Sequence, residues 1–230
     1  QRIFHLGAPF ADWLRKPQSI SLADIRQRLG LPSGKRTILF AGNIWAFNEV
    51  KTLKKLEEAI EAKELVDCCI LYRPHPFQHQ QEYDLNYFEQ NFKHVYLDPM
   101  IADQYRNAKA QKQDVVMKNN KVAIDFGHIK EVFSLVDGII APLSTIMIQG
   151  AVCGVPSVGI AYTDQANKQY RQRYDFEEFS IVKSMPGIFM ALRSQDLISS
   201  CWQMLEFSEK QENRDLLKQY LIIFYINRNP

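Results

Sequence analysis

Residues 137–161, DGIIAPLSTIMIQGAVCGVPSVGIA, decide the fold. They read as a buried strand (138–141), a turn (142–144), a short apolar helix (145–153), a Gly-Val-Pro break and a second buried strand (157–161). Both strands are continuous apolar runs, the pattern of sheet residues covered on two faces. The result is one β-α-β unit with two hydroxyls, Ser144 and Thr145, at the mouth of its helix. A helix start offers unpaired N–H groups and the positive end of the dipole, so it can hold a phosphate. A plain N-cap is the other reading of the same pair.

Working outward, apolar strands and amphipathic helices alternate along the whole chain. Upstream, the pattern predicts strands over 2–6, 36–41, 65–72 and 95–97. Helices are expected over 21–29, 48–63, 78–91 and 129–136, with Ser21 as the cap of the first. In the second helix Val50, Leu53, Leu56 and Ile60 share one face. Residues 100–120 are polar and read as an exposed excursion with some helix over 102–112. Downstream, a strand over 179–182 is expected, then helices over 195–206, capped by Ser194, and 210–225. Such alternation predicts an α/β fold, a Rossmann-like parallel sheet sandwiched by helices.

Composition narrows the function. The chain has 230 residues, 46% hydrophobic and 23% charged, an ordinary globular balance. Its 28 basic and 26 acidic residues leave a net charge of +2, too little for a nucleic-acid surface. No apolar run is long enough for a membrane span. The first residue is Gln1, so the chain is expected to be processed or part of a longer one. Cys68, Cys69, Cys153 and Cys201 form no C-x-x-C and read as buried reduced thiols, which suits a cytoplasmic protein.

Parallel sheets bind ligands at the carboxyl ends of their strands. Here those ends carry Gly42-Asn43, Arg73-Pro74-His75, Asp98, the Ser144-Thr145 turn and Tyr162. Gly42 permits close approach of backbone to a ligand, or serves a plain turn. Arg73 supplies a planar fork for phosphate, or pairs with an acid. His75, between two prolines, can donate to an anion or carry a proton. Gln149 lies one turn beyond Thr145 on the same helix face and can reach a ribose hydroxyl. Asp164 and Lys168 are rim candidates with Tyr162. His75 and His79 lack a third ligand at metal spacing, so no metal is expected. Walker A, G-x-G-x-x-G and G-x-S-x-G patterns are all absent, which disfavours a P-loop, a dinucleotide cofactor and a hydrolase serine.

The runs ILFAGN, LYRPHP, VYLDP and DGIIAPLSTIMIQGAVCGVPSV, with the opening RIFHLGAPFADWL, resemble the carboxy-terminal half of GT-B glycosyltransferases of bacterial surface-polysaccharide type. That group includes relatives of the CDP-glycerol glycerophosphotransferases and of the UDP-GlcNAc 2-epimerase fold. The resemblance covers roughly residues 2–206. It implies a single GT-B half-domain over 1–206 that binds a nucleotide-sugar, with 207–230 as a helix packing on it or on an N-terminal GT-B domain outside this chain. It places Gly42 and Asn43 near a diphosphate, turns Arg73 and His75 toward the donor, and has Ser144 and Thr145 hold the phosphates. It also implies metal-independent transfer to a surface glycan, His75 as the catalytic candidate, no cofactor, and a cytoplasmic site with the inner-membrane surface as an option.

Where the family has Glu in the helix after Ser-Thr, this chain has Gln149, which bonds ribose without charge. Two alternatives follow: a CDP-alditol phosphotransferase of teichoic-acid type, and a non-catalytic nucleotide-binding module.

Overall fold

The computed structural model describes residues 13–14, 16, 18–43, 48–75, 87–102, 126–162 and 180–227. The strand expected over 2–6 lies outside them, as do residues 103–112 of the helix expected over 102–112, residues 78–86 of the helix expected over 78–91, His79, Asp164 and Lys168.

Among the described residues six strands form one sheet: β1 (Arg36–Ala41), β2 (Cys68–Arg73), β3 (Val95–Leu97), β4 (Gly138–Pro142), β5 (Ser157–Ile160) and β6 (Ile188–Ala191). Their order is β3-β2-β1-β4-β5-β6 and every pairing is parallel. The helices are α1 (Leu22–Arg28), α2 (Glu49–Glu61), α3 (Phe126–Leu135), α4 (Thr145–Val152), α5 (Ser180–Ser184), α6 (Leu197–Glu209) and α7 (Gln211–Asn227). The predicted Rossmann-like α/β sandwich is therefore the observed fold.

The uninterrupted apolar strands have a direct cause. Leu39, Ala41, Cys69, Leu71, Ile139 and Ala141 face one core, shared with α1, α3, α4 and α7. Their neighbours Ile38, Phe40, Cys68, Ile70, Tyr72 and Ile140 face the other, beneath α2 and α6. Side chains alternate across a strand, so a sheet covered on both sides needs apolar residues at every position. All four face residues of α2, Val50, Leu53, Leu56 and Ile60, are buried.

The decisive stretch folds as read. Asp137 ties its start to β1, its carboxylate accepting from the Thr37 N–H at 2.7 Å while its own N–H donates to the Thr37 carbonyl at 2.8 Å. The helix closes at Cys153, and Gly154 adopts φ +76, a left-handed stop that favours glycine. A Cβ there would come within 2.6 Å of Lys218 Cε and 3.0 Å of the Arg214 carbonyl, so α7 closes tightly over this turn. Leu217 of α7 is fully buried in the same core.

Several expectations need correction. Residues 180–184 are helix, not strand, and the sixth strand is Ile188–Ala191. That strand is the apolar run Ile188-Phe189-Met190-Ala191, short and half-exposed at the sheet edge, and the sequence reading placed the strand nine residues too early. β2 begins at Cys68 rather than at residue 65, because Lys63 and Asp67 both take positive φ in a turn that precedes it. Residues 87–89 form a 3₁₀ turn within the helix expected over 78–91. Ser194 does not cap α6. It opens a 3₁₀ turn in which Arg193 and Asp196 bond reciprocally, and the Lys55 ammonium bonds both its carbonyl and its hydroxyl.

Candidate functional site

Because every strand is parallel, the ends named from the sequence share one edge of the sheet. α2 and α4 cover opposite faces, so the chain switches sides between β1 and β4. A crevice at such a switch point is the usual ligand site of an open α/β sheet. The register pairs Phe40 with Ile140, which sets Gly42 level with Pro142 and Asn43 with Leu143.

On the β1 side the crevice is closed by the protein itself. The Gly42 N–H donates to the Arg73 carbonyl at 2.8 Å, and the Asn43 N–H donates to Glu49 Oε1 at 2.8 Å. Glu49 Oε2 accepts from the Tyr72 hydroxyl at 2.6 Å, and the Glu49 side chain is fully buried. A Cβ on Gly42 would lie 2.6–2.7 Å from the two Glu49 oxygens and 2.9 Å from the His75 N–H nitrogen. The glycine therefore serves an internal close approach. The backbone donors of Gly42 and Asn43 are engaged, and Asn43 is buried.

On the β4 side the arrangement differs. Ser144 is the N-cap of α4 by position, extended at φ −159 and ψ 165, yet its hydroxyl makes no capping bond and the first turn contains no acid. Ser144 is half-buried, Thr145 exposed and Gln149 half-buried, so all three retain contact with solvent. The plain-cap reading of the Ser-Thr pair does not describe this helix start.

Arg73 ends β2. Its Nη1 donates to Asp98 Oδ2 at 2.5 Å, so the acid-paired reading of Arg73 describes one arm of its fork. Asp98 follows β3 and is fully buried. Both its oxygens also accept from His128 Nε2 at 2.9 Å, and Oδ1 accepts from the Met100 N–H at 3.0 Å. Burial pushes the Asp98 carboxyl up, but the His128 hydrogen bond and the Arg73 charge outweigh it and hold the group below its ordinary value. His75, two residues past Arg73, is half-buried. Tyr162 is buried in the core instead of lining a rim.

Glu49 and His128 were missed from the sequence. Glu49 looked like one more acid in an amphipathic helix, and His128 precedes the residues from which the α3 pattern was read. A signal did exist for Glu49: it directly follows the Asn48 cap, where an acid meets the positive helix end.

Among the described residues, Glu57, Glu61 and His94 form a group with metal-ligand chemistry. It lies at the start of β3, away from the strand carboxyl ends, and the Lys93 ammonium already holds Glu61 at 2.6 Å. All four cysteines are free, three of them buried, and burial pushes the Cys68 thiol up to about 11, which makes it inert. No helix among the described residues is long and apolar enough to cross a membrane.

The family model described as "CDP-Glycerol:Poly(glycerophosphate) glycerophosphotransferase" matches residues 1–219. A variant of the wall teichoic acid polymerase TagF superposes with a TM-score of 0.55 at 21% identity, covering 95% of this chain and 47% of that one. A TagF structure soaked with CDPG gives 0.50 at 20% identity, covering 95% of this chain and 44% of that one. The UDP-GlcNAc 2-epimerase of Methanocaldococcus jannaschii, in complex with UDP-GlcNAc and UDP, gives 0.50 at 12% identity, covering 94% and 51%. This chain thus spans about half the length of these structures, and at these identities the likeness concerns the fold. Comparison with curated proteins finds no match. The resemblance read from the sequence is borne out at the level of family and fold.

Proposed function

Since the chain belongs to the CDP-glycerol:poly(glycerophosphate) glycerophosphotransferase family, we propose that it is the donor-binding half of a transferase that moves an alditol phosphate from a CDP-activated donor to a growing surface polymer. One observation carries the reading: an N-terminal helix start at the switch point that is neither capped by its own serine nor met by an acid. The pyrophosphate of the donor lies at that start, with Ser144 and Thr145 donating and Gln149 toward the ribose. Arg73 approaches from β2, on the far side of β1. Gly42 and Asn43 line the floor, their N–H groups engaged elsewhere.

In the reaction an acceptor hydroxyl oxygen attacks the distal phosphorus. A new P–O ester forms, the P–O bond of the pyrophosphate breaks, and CMP leaves with the bond electrons. The helix start and Arg73 offset the charge that develops on CMP. His75 handles the hydroxyl proton, as acceptor or relay. The acceptor half of the site belongs to a second domain.

Sugar transfer from a nucleotide-sugar is the rival, and the family match favours the phosphotransferase. Calorimetry with CDP, CMP, UDP and GDP separates them. CDP should bind best, and Arg73→Ala should weaken it by about 1.5–3 kcal/mol, the size of a charged hydrogen bond. Preference for UDP or GDP would restore the sugar-transfer reading. Binding by none of the four at roughly millimolar concentration would end the donor-site assignment. Turnover assays on a full-length protein distinguish both from a binding module.

A further inference from the structure

We propose that His128 and Asp98 are positioning residues for Arg73: they fix one arm of its guanidinium so that the other arm faces the donor phosphates. This rests on the donor-site reading given above for Arg73, but the geometry behind it is independent. Arg73 uses only Nη1 on Asp98, and its remaining N–H groups bond to none of the described residues. Its side chain is 16% exposed at the carboxyl end of β2, so part of it meets solvent there. Asp98 is fully enclosed and cannot swing away, because four contacts hold it: Arg73, the two from His128 Nε2, and the Met100 N–H.

His128 differs from the other donors in where it comes from. It sits on α3, which follows β3 in the chain only after residues 98–125, and its ring is buried. A carboxylate that held only Arg73 would be free to rotate about its Cβ–Cγ bond and carry the guanidinium with it. The bifurcated bond from His128 closes that rotation, since it engages both oxygens at equal distance. An arginine delivered with one arm locked loses less entropy on binding a phosphate than one that must be ordered first. The chain thereby supplies pre-organisation from an element remote from the donor, in the way outer groups orient a ligand-binding side chain.

The experiment uses this chain with His128→Leu, His128→Gln, Asp98→Asn, Arg73→Ala and the Arg73→Ala/His128→Leu double variant. The ring also borders a cavity of about 330 Å³ between α1 and α3, which gives the leucine room. Two readouts are taken. The first is rotation about the Arg73 Nε–Cζ bond, followed by nitrogen NMR of the guanidinium without any ligand. It should be slow in the parent, faster in His128→Leu and Asp98→Asn, and close to parental in His128→Gln, whose amide can still donate. The second is CDP affinity by calorimetry. His128→Leu should weaken it about five- to tenfold with Arg73 present and less than about twofold in the Arg73→Ala background, the non-additivity expected of one unit.

Unchanged guanidinium rotation in His128→Leu would overturn the proposal whatever the affinity shows. An equal loss of CDP affinity with and without Arg73 would overturn it too, since His128 would then act on the fold at large. Rotation that depends on His128 in a parent that binds no CDP would leave the positioning intact and end the donor reading. Should His128→Leu not fold, Asp98→Asn and His128→Gln decide the rotation test between them.

Discussion

Two helices start at the switch point, and they treat their positive ends in opposite ways. At α2, Asn48 caps the Lys51 N–H at 2.8 Å, and the next residue, Glu49, brings a buried carboxylate to the helix end. That carboxylate is in turn bound by the Asn43 N–H and the Tyr72 hydroxyl. At α4, the residue in the cap position makes no cap bond, and no acid occurs in the first turn. The dipole favours negative charge at both places. One helix meets that preference with its own side chain, and the other has neither a cap bond nor an acid in its first turn. The difference is why the proposal above puts the donor phosphate at the Ser-Thr turn after β4 and not at the glycine turn after β1, where a general reading of α/β folds would first look.

The largest effect should come from breaking the internal pair. Glu49→Leu removes the carboxylate that accepts from the Asn43 N–H and the Tyr72 hydroxyl, both in buried residues. A loss of about 3–5 kcal/mol in urea unfolding is expected, the range for orphaned buried donors plus local repacking. A loss below about 1 kcal/mol would mean that Glu49 does not close the β1 side.

Next comes the acid that holds Arg73. Asp98→Asn should cost about 2–3 kcal/mol, at the low end for a broken buried ion pair because Arg73 reaches solvent. The same pairing gives a pH dependence. Asp98 has its folded-state pKa below the ordinary value, so its contribution is present in full above about pH 4 and is lost as pH falls through the depressed folded value. Acid unfolding monitored by circular dichroism should therefore separate the parent from Asp98→Asn at neutral pH and bring the two together in strong acid. A gap that stays constant into acid would contradict the pairing.

How much of this was legible follows from which interactions are local. The sheet, its parallel sense and the decisive stretch could be read because burial on two faces writes itself into consecutive residues, as in Ile38-Leu39-Phe40. β6 was misplaced although Ile188-Phe189-Met190-Ala191 is a run of the same kind, because a run of four at a half-exposed edge carries no mark of its own that separates it from neighbouring apolar residues. Arg73, His75, Ser144 and Thr145 could be named as strand-end residues because parallel topology alone puts strand ends together. What decides their availability was not legible. Glu49 meets Tyr72 across 23 positions, and His128 meets Asp98 across 30, so neither partnership leaves a local pattern. The residues alone left Gly42 open between close approach to a ligand and a plain turn, and only the position of the Glu49 carboxylate shows what occupies that space.

A charge placed at the uncapped start of α4 should act with opposite signs on folding and binding. Ser144→Asp gives α4 the acid that α2 already has. Stability should rise by about 0.5 kcal/mol, while CDP affinity should fall at least about tenfold, or 1.4 kcal/mol, because the new carboxylate competes with the pyrophosphate for the same helix end. Thermal unfolding and calorimetry on one preparation read both. A fall in affinity without a gain in stability would point to steric blocking alone, and unchanged affinity would remove the α4 start from the site.

The smallest effect is the most discriminating about what Ser144 is. Ser21 and Ser144 both stand at N-cap positions in extended backbone. Ser21 accepts from the Asp24 N–H at 3.1 Å, so Ser21→Ala should cost about 1 kcal/mol, the usual worth of a cap. Ser144 makes no such bond, so Ser144→Ala should cost less than about 0.5 kcal/mol in the same urea titration, as for a substitution away from any cap or buried network. Equal costs at the two serines would mean that the Ser144 hydroxyl does cap α4 in solution, and the argument that this helix start is reserved for a donor phosphate would lose its premise. Unequal costs, with CDP affinity lowered only by Ser144→Ala, would separate a serine kept for folding from a serine kept for binding within one chain.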